Sequence, residues 1–146
     1  MSPAGIAPSA AALFGPAWAE RLERELRASE PFRTASAGWK GSLVFVLEDE
    51  RGGPPESAVF VDLAHGGAVS VRPALARDLG VATFRVDGPA EAWEKLLRGE
   101  IEPPQALAAG QVKLVRGSFF SLLPRLAAAK ELFRAAQRVP TDFGAR

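Results

Sequence analysis

The chain has 146 residues, one histidine, no cysteine and a formal net charge of +1, which predicts a single domain and excludes disulfides and thiol chemistry. Acidic and basic residues are interspersed along the chain, so the basic stripe of a nucleic-acid-binding protein is missing. No apolar run reaches the ~20 residues that a membrane-spanning helix needs. We therefore expect a cytoplasmic protein, and its excess of arginine over lysine fits a GC-rich bacterial genome.

The two ends of the chain are expected to lie outside the folded domain. Residues 1–12 are rich in alanine and proline and lack basic residues, which favours a disordered lead over a signal peptide. Residues 140–146 are interpreted as a C-terminal tail without a peroxisomal address. The single domain is therefore predicted over 13–139.

The first predicted helix begins at Pro16 and ends before Pro31. Its apolar side chains fall four residues apart and form one narrow stripe: Phe14, Trp18, Leu22 and Leu26. The opposite face carries glutamate and arginine in i,i+4 pairs. A membrane-contact helix is one interpretation. The balanced charges favour the other, a surface helix docked on the sheet.

Three strands are predicted next, as an antiparallel meander. Residues 42–48 form an unbroken apolar run, rich in β-branched and aromatic side chains, which is typical of a central strand buried on both faces. A glycine- and proline-rich loop separates it from a second strand over 57–64, and a third strand covers 68–72. His65 and the two glycines after it predict a tight turn between the second and third strands.

A fourth strand is predicted over 82–87, with Ala82, Phe84 and Val86 on one face, and a fifth over 111–116. About two dozen residues separate these strands, more than the dozen or so that a parallel crossover needs. We therefore predict that the two strands are parallel neighbours joined by a right-handed crossover.

The connection between these strands carries the most specific pattern in the chain. A helix with Trp93, Leu96 and Leu97 at helical spacing is followed by a glycine that can end it. A proline pair then begins a second short helix, and further glycines end that helix and the fifth strand. The boundary residues are Gly99, Pro103, Pro104, Gly110 and Gly117.

A last helix is predicted within 118–138. Pro124 is tolerated only in the first helical turn, which places the N-cap at Ser121. Phe119 and Phe120 are then expected in a bend between the fifth strand and this helix.

This order of elements resembles the sterol carrier protein 2 (SCP2) domain family, specifically over 84–138 and in element order over 14–71. The resemblance implies an α+β fold, in which a mixed five-stranded sheet of order 3-2-1-4-5 is covered by helices on one face. The family usually has an acidic residue after the glycine of the last strand, where this chain has Ser118.

The resemblance also implies an apolar tunnel between sheet and helices that binds a sterol-like lipid, a fatty acyl chain or an acyl-CoA. It implies no catalytic residue, cofactor or metal. The residue pattern by itself indicates core packing for the side chains assigned to the tunnel, and only the resemblance argues for a cavity. These side chains are Phe84, Trp93, Leu97, Leu107, Val112, Leu114, Phe120, Leu123 and Leu126.

Few other side chains are candidates for catalysis or metal binding. His65 is interpreted as a solvated turn residue, and a single histidine without cysteine leaves no zinc site. No nucleophile elbow or phosphate-binding loop occurs, and the acidic residues at 48–50, 100 and 102 are interpreted as solvated. Asp62 is expected on the wet side of the sheet. Arg116 either meets a ligand anion or reaches solvent, and Trp39 either caps the core or closes the tunnel.

The sequence thus favours a non-catalytic protein that binds and carries an apolar lipid. The alternative is an accessory or scaffold protein that presents lipid or polyprenyl intermediates to an enzyme, or a dimerisation module. Transient membrane contact and a homodimer are left open, and the ligand's identity is not determined.

Overall fold

A five-stranded mixed sheet is the frame of the computed structural model, which describes residues 9–55, 57–65 and 68–144. The order of its strands is β4-β3-β2-β5-β6, the order 3-2-1-4-5 when the predicted strands are numbered along the chain. The elements are β1 (Ala11–Ala12), α1 (Pro16–Ala28), α2 (Glu30–Ala35), β2 (Gly41–Leu47), β3 (Ser57–His65), β4 (Ala68–Pro73), α3 (Ala76–Val81), β5 (Phe84–Gly88), α4 (Ala90–Leu97), α5 (Pro103–Ala108), β6 (Lys113–Arg116), α6 (Phe119–Leu122), a 3-10 turn (Leu123–Arg125), α7 (Leu126–Ala136) and β7 (Thr141–Asp142).

Strand β2 lies at the centre of the sheet, antiparallel to β3 and parallel to β5. Its alternate side chains point to opposite faces. Leu43 and Phe45 pack into the main core, whereas Val44 and Val46 pack on the other face against Ala82. All four are buried, which confirms the prediction of a central strand buried on both faces. The antiparallel meander of β2, β3 and β4 is confirmed as well.

Strands β5 and β6 are neighbours, but they run antiparallel, so the prediction of a parallel pair is wrong. The two predicted helices between them are present as α4 and α5, but together they return the chain to the end of the sheet that β5 has just reached. Asp87 consequently pairs with Lys113. Gly88 lies so close to Val112 that a Cβ added to the glycine would be 2.7 Å from Cγ1 of the valine.

The α1 helix covers the outer edge of β4. Its apolar stripe, including Trp18, Leu22 and Leu26, is buried, as the docked-helix interpretation requires. Arg27 donates from Nε and Nη2 to the carbonyl oxygen of Val69, each at 3.2 Å. Glu23 accepts from the backbone N–H of Val71 at 2.8 Å. These bonds satisfy edge groups that would otherwise pair with another strand.

The predicted domain bounds of 13–139 are too narrow, because residues on both sides of them pair with each other. Ala11 and Ala12 in β1 run parallel to Thr141 and Asp142 in β7. Trp18 adds a link by donating from Nε1 to the hydroxyl of Thr141 at 2.8 Å. The rest of the predicted N-terminal lead, residues 1–8, lies outside the described residues.

Two local predictions in the second half are wrong. Ala82 precedes β5 and packs on the opposite face from Phe84, so the two do not share a side of the sheet. The last helical region begins at Ser118, whose hydroxyl accepts from the N–H of Phe120 at 3.1 Å, and not at Ser121. Phe119 and Phe120 are therefore helical, and Pro124 lies in the 3-10 turn that interrupts the helix.

Candidate functional site

An apolar cavity lies between the sheet and the helices of the second half. Its volume is about 40 Å³. All of its lining side chains are apolar: Leu43, Phe45, Val86, Trp93, Leu96, Pro103, Leu107, Val112, Leu122, Leu126, Ala129 and Phe133. Such a cavity offers no hydrogen-bond partner to water, and apolar cavities of this kind stay dry or bind apolar molecules.

The fixed wall of the cavity is the sheet with α4. Phe45 contributes from β2, and its ring lies 5.5 Å from those of Trp93 and Phe133. Trp93 stacks on Phe133 at 6.2 Å with an interplanar angle of 14°. The indole N–H of Trp93 donates to the carbonyl oxygens of Val46 and Gly88, both at 3.0 Å. This rigid aromatic cluster holds the inner end of the cavity.

The opposite wall consists of short elements. Pro103 and Leu107 come from α5, Leu122 from α6, and Leu126 from the first turn of α7. The α5 helix has 6 residues and α6 has 4. Helices this short depend on packing against the rest of the domain for their stability.

Of the side chains assigned to the tunnel by resemblance, four line the cavity: Trp93, Leu107, Val112 and Leu126. Five others do not line it. Phe84 and Leu97 are buried in the core, Leu114 is partly buried, and Phe120 and Leu123 are exposed. The assignment missed the contribution of β2, although the alternation of Leu43 and Phe45 along a strand places both on one face. It also missed Ala129, because a small side chain gives no hydrophobic signal.

The cavity is much smaller than the ~300 Å³ at the lower end of ligand sites. At about 24 cal/mol per Å³, leaving 40 Å³ empty costs only about 1 kcal/mol. The folded domain tolerates that cost easily, since domains are typically stable by ~5–15 kcal/mol. The structure therefore describes a nearly closed site.

Charged groups lie away from the cavity. Arg72 donates to the carboxylate of Asp78 at 2.8 and 3.2 Å, which lowers the pKa of Asp78, and the backbone N–H of Leu75 lowers that pKa further. A second bidentate pair joins Arg85 to Asp87. Within the described ranges, no group of histidine and carboxylate side chains is arranged to hold a metal ion.

The side chains whose roles the sequence left open take the following places. Arg116 is exposed and donates from Nε to the carbonyl oxygen of Ala82 at 2.8 Å, away from the cavity lining. Trp39 is buried under the guanidinium of Arg125, 5.6 Å from its ring, and caps the core. Asp62 is half-buried. His65 is the last residue of β3; its side chain and residues 66–67 lie outside the description, so its assignment as a turn residue without function stays a prediction.

Comparison with known proteins gives a consistent picture. A sequence profile of the SCP-2 sterol transfer family matches residues 20–117. A crystal structure of sterol carrier protein 2 is 34% identical, with a TM-score of 0.74, over 87% of this chain and 98% of that one. A conserved hypothetical protein from Thermus thermophilus, suggested to be a sterol carrier protein, is 32% identical, with a TM-score of 0.75, over 94% of this chain and 97% of that one.

More distant structures share the fold. Sterol carrier protein 2 from Yarrowia lipolytica in its apo form is 16% identical, with a TM-score of 0.53, over 83% of this chain and 84% of that one. No curated protein matches the sequence significantly. None of the helices in the described ranges reaches the length and hydrophobicity required to cross a bilayer. The profile match, the two structures above 30% identity and the apolar cavity agree: the chain belongs to the SCP-2 sterol transfer family, whose members bind and transfer lipids.

Proposed function

We propose that this protein is a non-catalytic carrier that binds one apolar lipid, of the sterol-like, fatty acyl or acyl-CoA class, between the sheet and the helices. The observation that carries the proposal is the cavity, whose lining is entirely apolar and which is bounded by the rigid Trp93 cluster. A cavity of this kind disfavours a polar substrate, because a polar group there would lose its hydrogen bonds to water.

Binding requires the site to expand. An acyl chain gains ~0.8 kcal/mol for each buried CH₂, so a dozen methylenes supply a gross ~10 kcal/mol before association costs. Outward movement of α5, α6 and the 3-10 turn is the least costly way to make room, because β2 and β5 are held in the sheet ladder. Low local stability of elements that move with a ligand is a general property of binding sites.

The accessory-protein alternative differs in one respect: the cavity stays closed, and the domain acts through its surface. The observation that supports this alternative is the small volume of the cavity. A scaffold of this kind gains no stability from free lipid, whereas a carrier does.

Two measurements on the purified protein test the carrier proposal. Native mass spectrometry after gentle extraction should reveal a bound lipid and identify its class. Thermal melts with added long-chain fatty acid, acyl-CoA or sterol should show a stabilisation of ~2.7 kcal/mol at a hundredfold excess over the dissociation constant. An empty protein that no lipid class stabilises contradicts the carrier function and favours the accessory role.

A further inference from the structure

The segment after β6 exposes apolar side chains that the core does not use. Every residue from 115 to 121 is exposed. Phe120 is 82% exposed, Phe119 44% and Leu123 43%. The two phenylalanine rings lie edge to face, 6.5 Å apart. We call Phe119, Phe120 and Leu123 the apolar patch.

The apolar patch is the outer side of the cavity wall. Leu122 and Leu126 line the cavity from the inside, while Phe119, Phe120 and Leu123 on the same short segment face outwards. Leu122 is the one buried residue between positions 115 and 124. Whatever holds the apolar patch therefore acts on the wall that closes the cavity.

Two cations flank the apolar patch. Arg116, three residues before Phe119, is anchored by Nε on the carbonyl oxygen of Ala82 at 2.8 Å. Arg125 lies over the ring of Trp39, two residues after Leu123. Neither arginine forms an ion pair within the part of the chain that the structure describes. The sequence contains no acidic residue between Glu102 and Glu131.

The α1 helix lacks these properties. Its apolar stripe is buried. Arg24 pairs with Glu20 and Arg27 with Glu23, and the half-buried Arg21 donates to the carbonyl oxygen of Ser9. The acidic and basic residues of α1 are equal in number, so the helix carries no net positive charge. The region from Arg116 to Arg125 thus combines exposed aromatic rings with uncompensated positive charge, the pair of features that binds to a negatively charged lipid interface.

We propose that the apolar patch, with Arg116 and Arg125, docks on the surface of an anionic lipid bilayer, so that the cavity wall faces the lipid that the protein loads or delivers. The proposal rests on the carrier function proposed above. Self-association through the same surface is disfavoured, because a symmetric contact would bring the arginines of two copies together.

The expected effects follow from general magnitudes. Each Lys or Arg near an anionic surface contributes about fivefold to partitioning, so the two arginines together contribute about 30-fold. Loss of both phenylalanines should weaken binding at least about tenfold, because apolar area buried in the interface adds to the attraction. Added salt should weaken the binding, because it screens the arginines.

The test is flotation of the full-length protein with two kinds of vesicle, pure phosphatidylcholine and a mixture of two parts phosphatidylcholine to one part phosphatidylglycerol. The test variants are F119S/F120S and R116Q/R125Q. Leu75→Ser is the control for loss of an exposed apolar side chain, since Leu75 is 50% exposed beside the separate helix α3. The control for net charge is R51Q/R77Q, which removes two exposed arginines elsewhere.

Wild type and both controls should float with the mixed vesicles and only weakly with pure phosphatidylcholine, and both test variants should lose this binding. All variants should keep the stabilisation by free fatty acid, because none of the changed side chains lines the cavity. Equal binding of F119S/F120S and wild type to the mixed vesicles would overturn the proposal that the apolar patch docks on a bilayer. Self-association of the wild type that F119S/F120S abolishes would overturn it as well. If lipid stabilisation is absent while flotation is retained, only the carrier function fails.

Discussion

The indole N–H of Trp93 donates a hydrogen bond to the carbonyl oxygen of Gly88, 3.0 Å away. The same N–H also donates to the carbonyl oxygen of Val46 at 3.0 Å. One side chain of α4 thereby ties the ends of the two parallel strands β2 and β5. It also forms the rigid end of the cavity, so the packing of the sheet and the geometry of the site depend on the same residue.

Replacing Trp93 by phenylalanine should keep an aromatic ring in place but remove the donor. Two carbonyl oxygens then lose this donor, although that of Gly88 still accepts from the N–H of Glu48 at 2.9 Å, so the free energy of unfolding should fall by about 0.5–1.5 kcal/mol for each bond lost. Urea denaturation measures this cost. Trp18→Phe is the matched control, because Trp18 donates to one partner, Thr141, at a part-buried position. Equal losses for the two variants would contradict the role given to the bifurcated bond.

Gly117→Ala should destabilise the protein for two reasons. The backbone has a φ of +99°, and a Cβ would lie 2.7 Å from the carbonyl oxygen of Thr83 and 2.5 Å from Cδ1 of Phe84. Gly110 has a φ of +73° with open space around it, so Gly110→Ala isolates the backbone strain of about 1 kcal/mol. Chemical denaturation should give a clearly larger loss for Gly117→Ala; equal losses would show that the contact with Phe84 relaxes freely.

Stability should fall in acid because of Asp78. Its hydrogen bonds from Arg72, together with the N–H of Leu75, lower its pKa in the folded state. The contribution of this carboxylate is therefore fully present above its unfolded pKa of about 4 and is lost as the pH falls through the lower folded value. Urea denaturation from neutral pH to about pH 3 should show this loss of unfolding free energy in wild type. The loss should be smaller in Asp78→Asn and in Arg72→Gln. An unchanged acid dependence in both variants would assign the effect to other carboxylates.

Filling the cavity should abolish lipid binding without unfolding the domain. Leu97 and Leu123, which the resemblance assigned to the tunnel, do not line the cavity, whereas Ala129 does. Ala129→Phe places a ring in the space, at a packing cost of about 1–3 kcal/mol, and should remove the ~2.7 kcal/mol of ligand-dependent stabilisation. Ala127→Phe adds the same ring at an exposed position of α7 and should bind lipid as wild type does. Full lipid stabilisation of Ala129→Phe would move the ligand to another site.

Elements whose signal is local were predictable from the sequence. The apolar run of β2, the glycines at 99 and 110 with positive φ, and the helical spacing of Trp93, Leu96 and Leu97 each depend on residues close together in the chain. Such patterns report the conformation and the buried side of one element. For this reason most of the helices and strands could be predicted, and their order carried the resemblance that implied the α+β class and the family.

Relations between distant segments were decided by the tertiary structure. The direction of β6 relative to β5 depends on how α4 and α5 pack. The spacing of residues along the chain does not determine at which end of the sheet these two helices deliver the chain to β6. The same holds for the cavity: Phe120 and Leu123 are as apolar as Leu122 and Leu126, but only the turn at Pro124 and the docking of α7 determine which of them face inwards. Burial is favourable for all of these residues because they are apolar, but the packing of the helices determines which of them are buried and which stay on the surface.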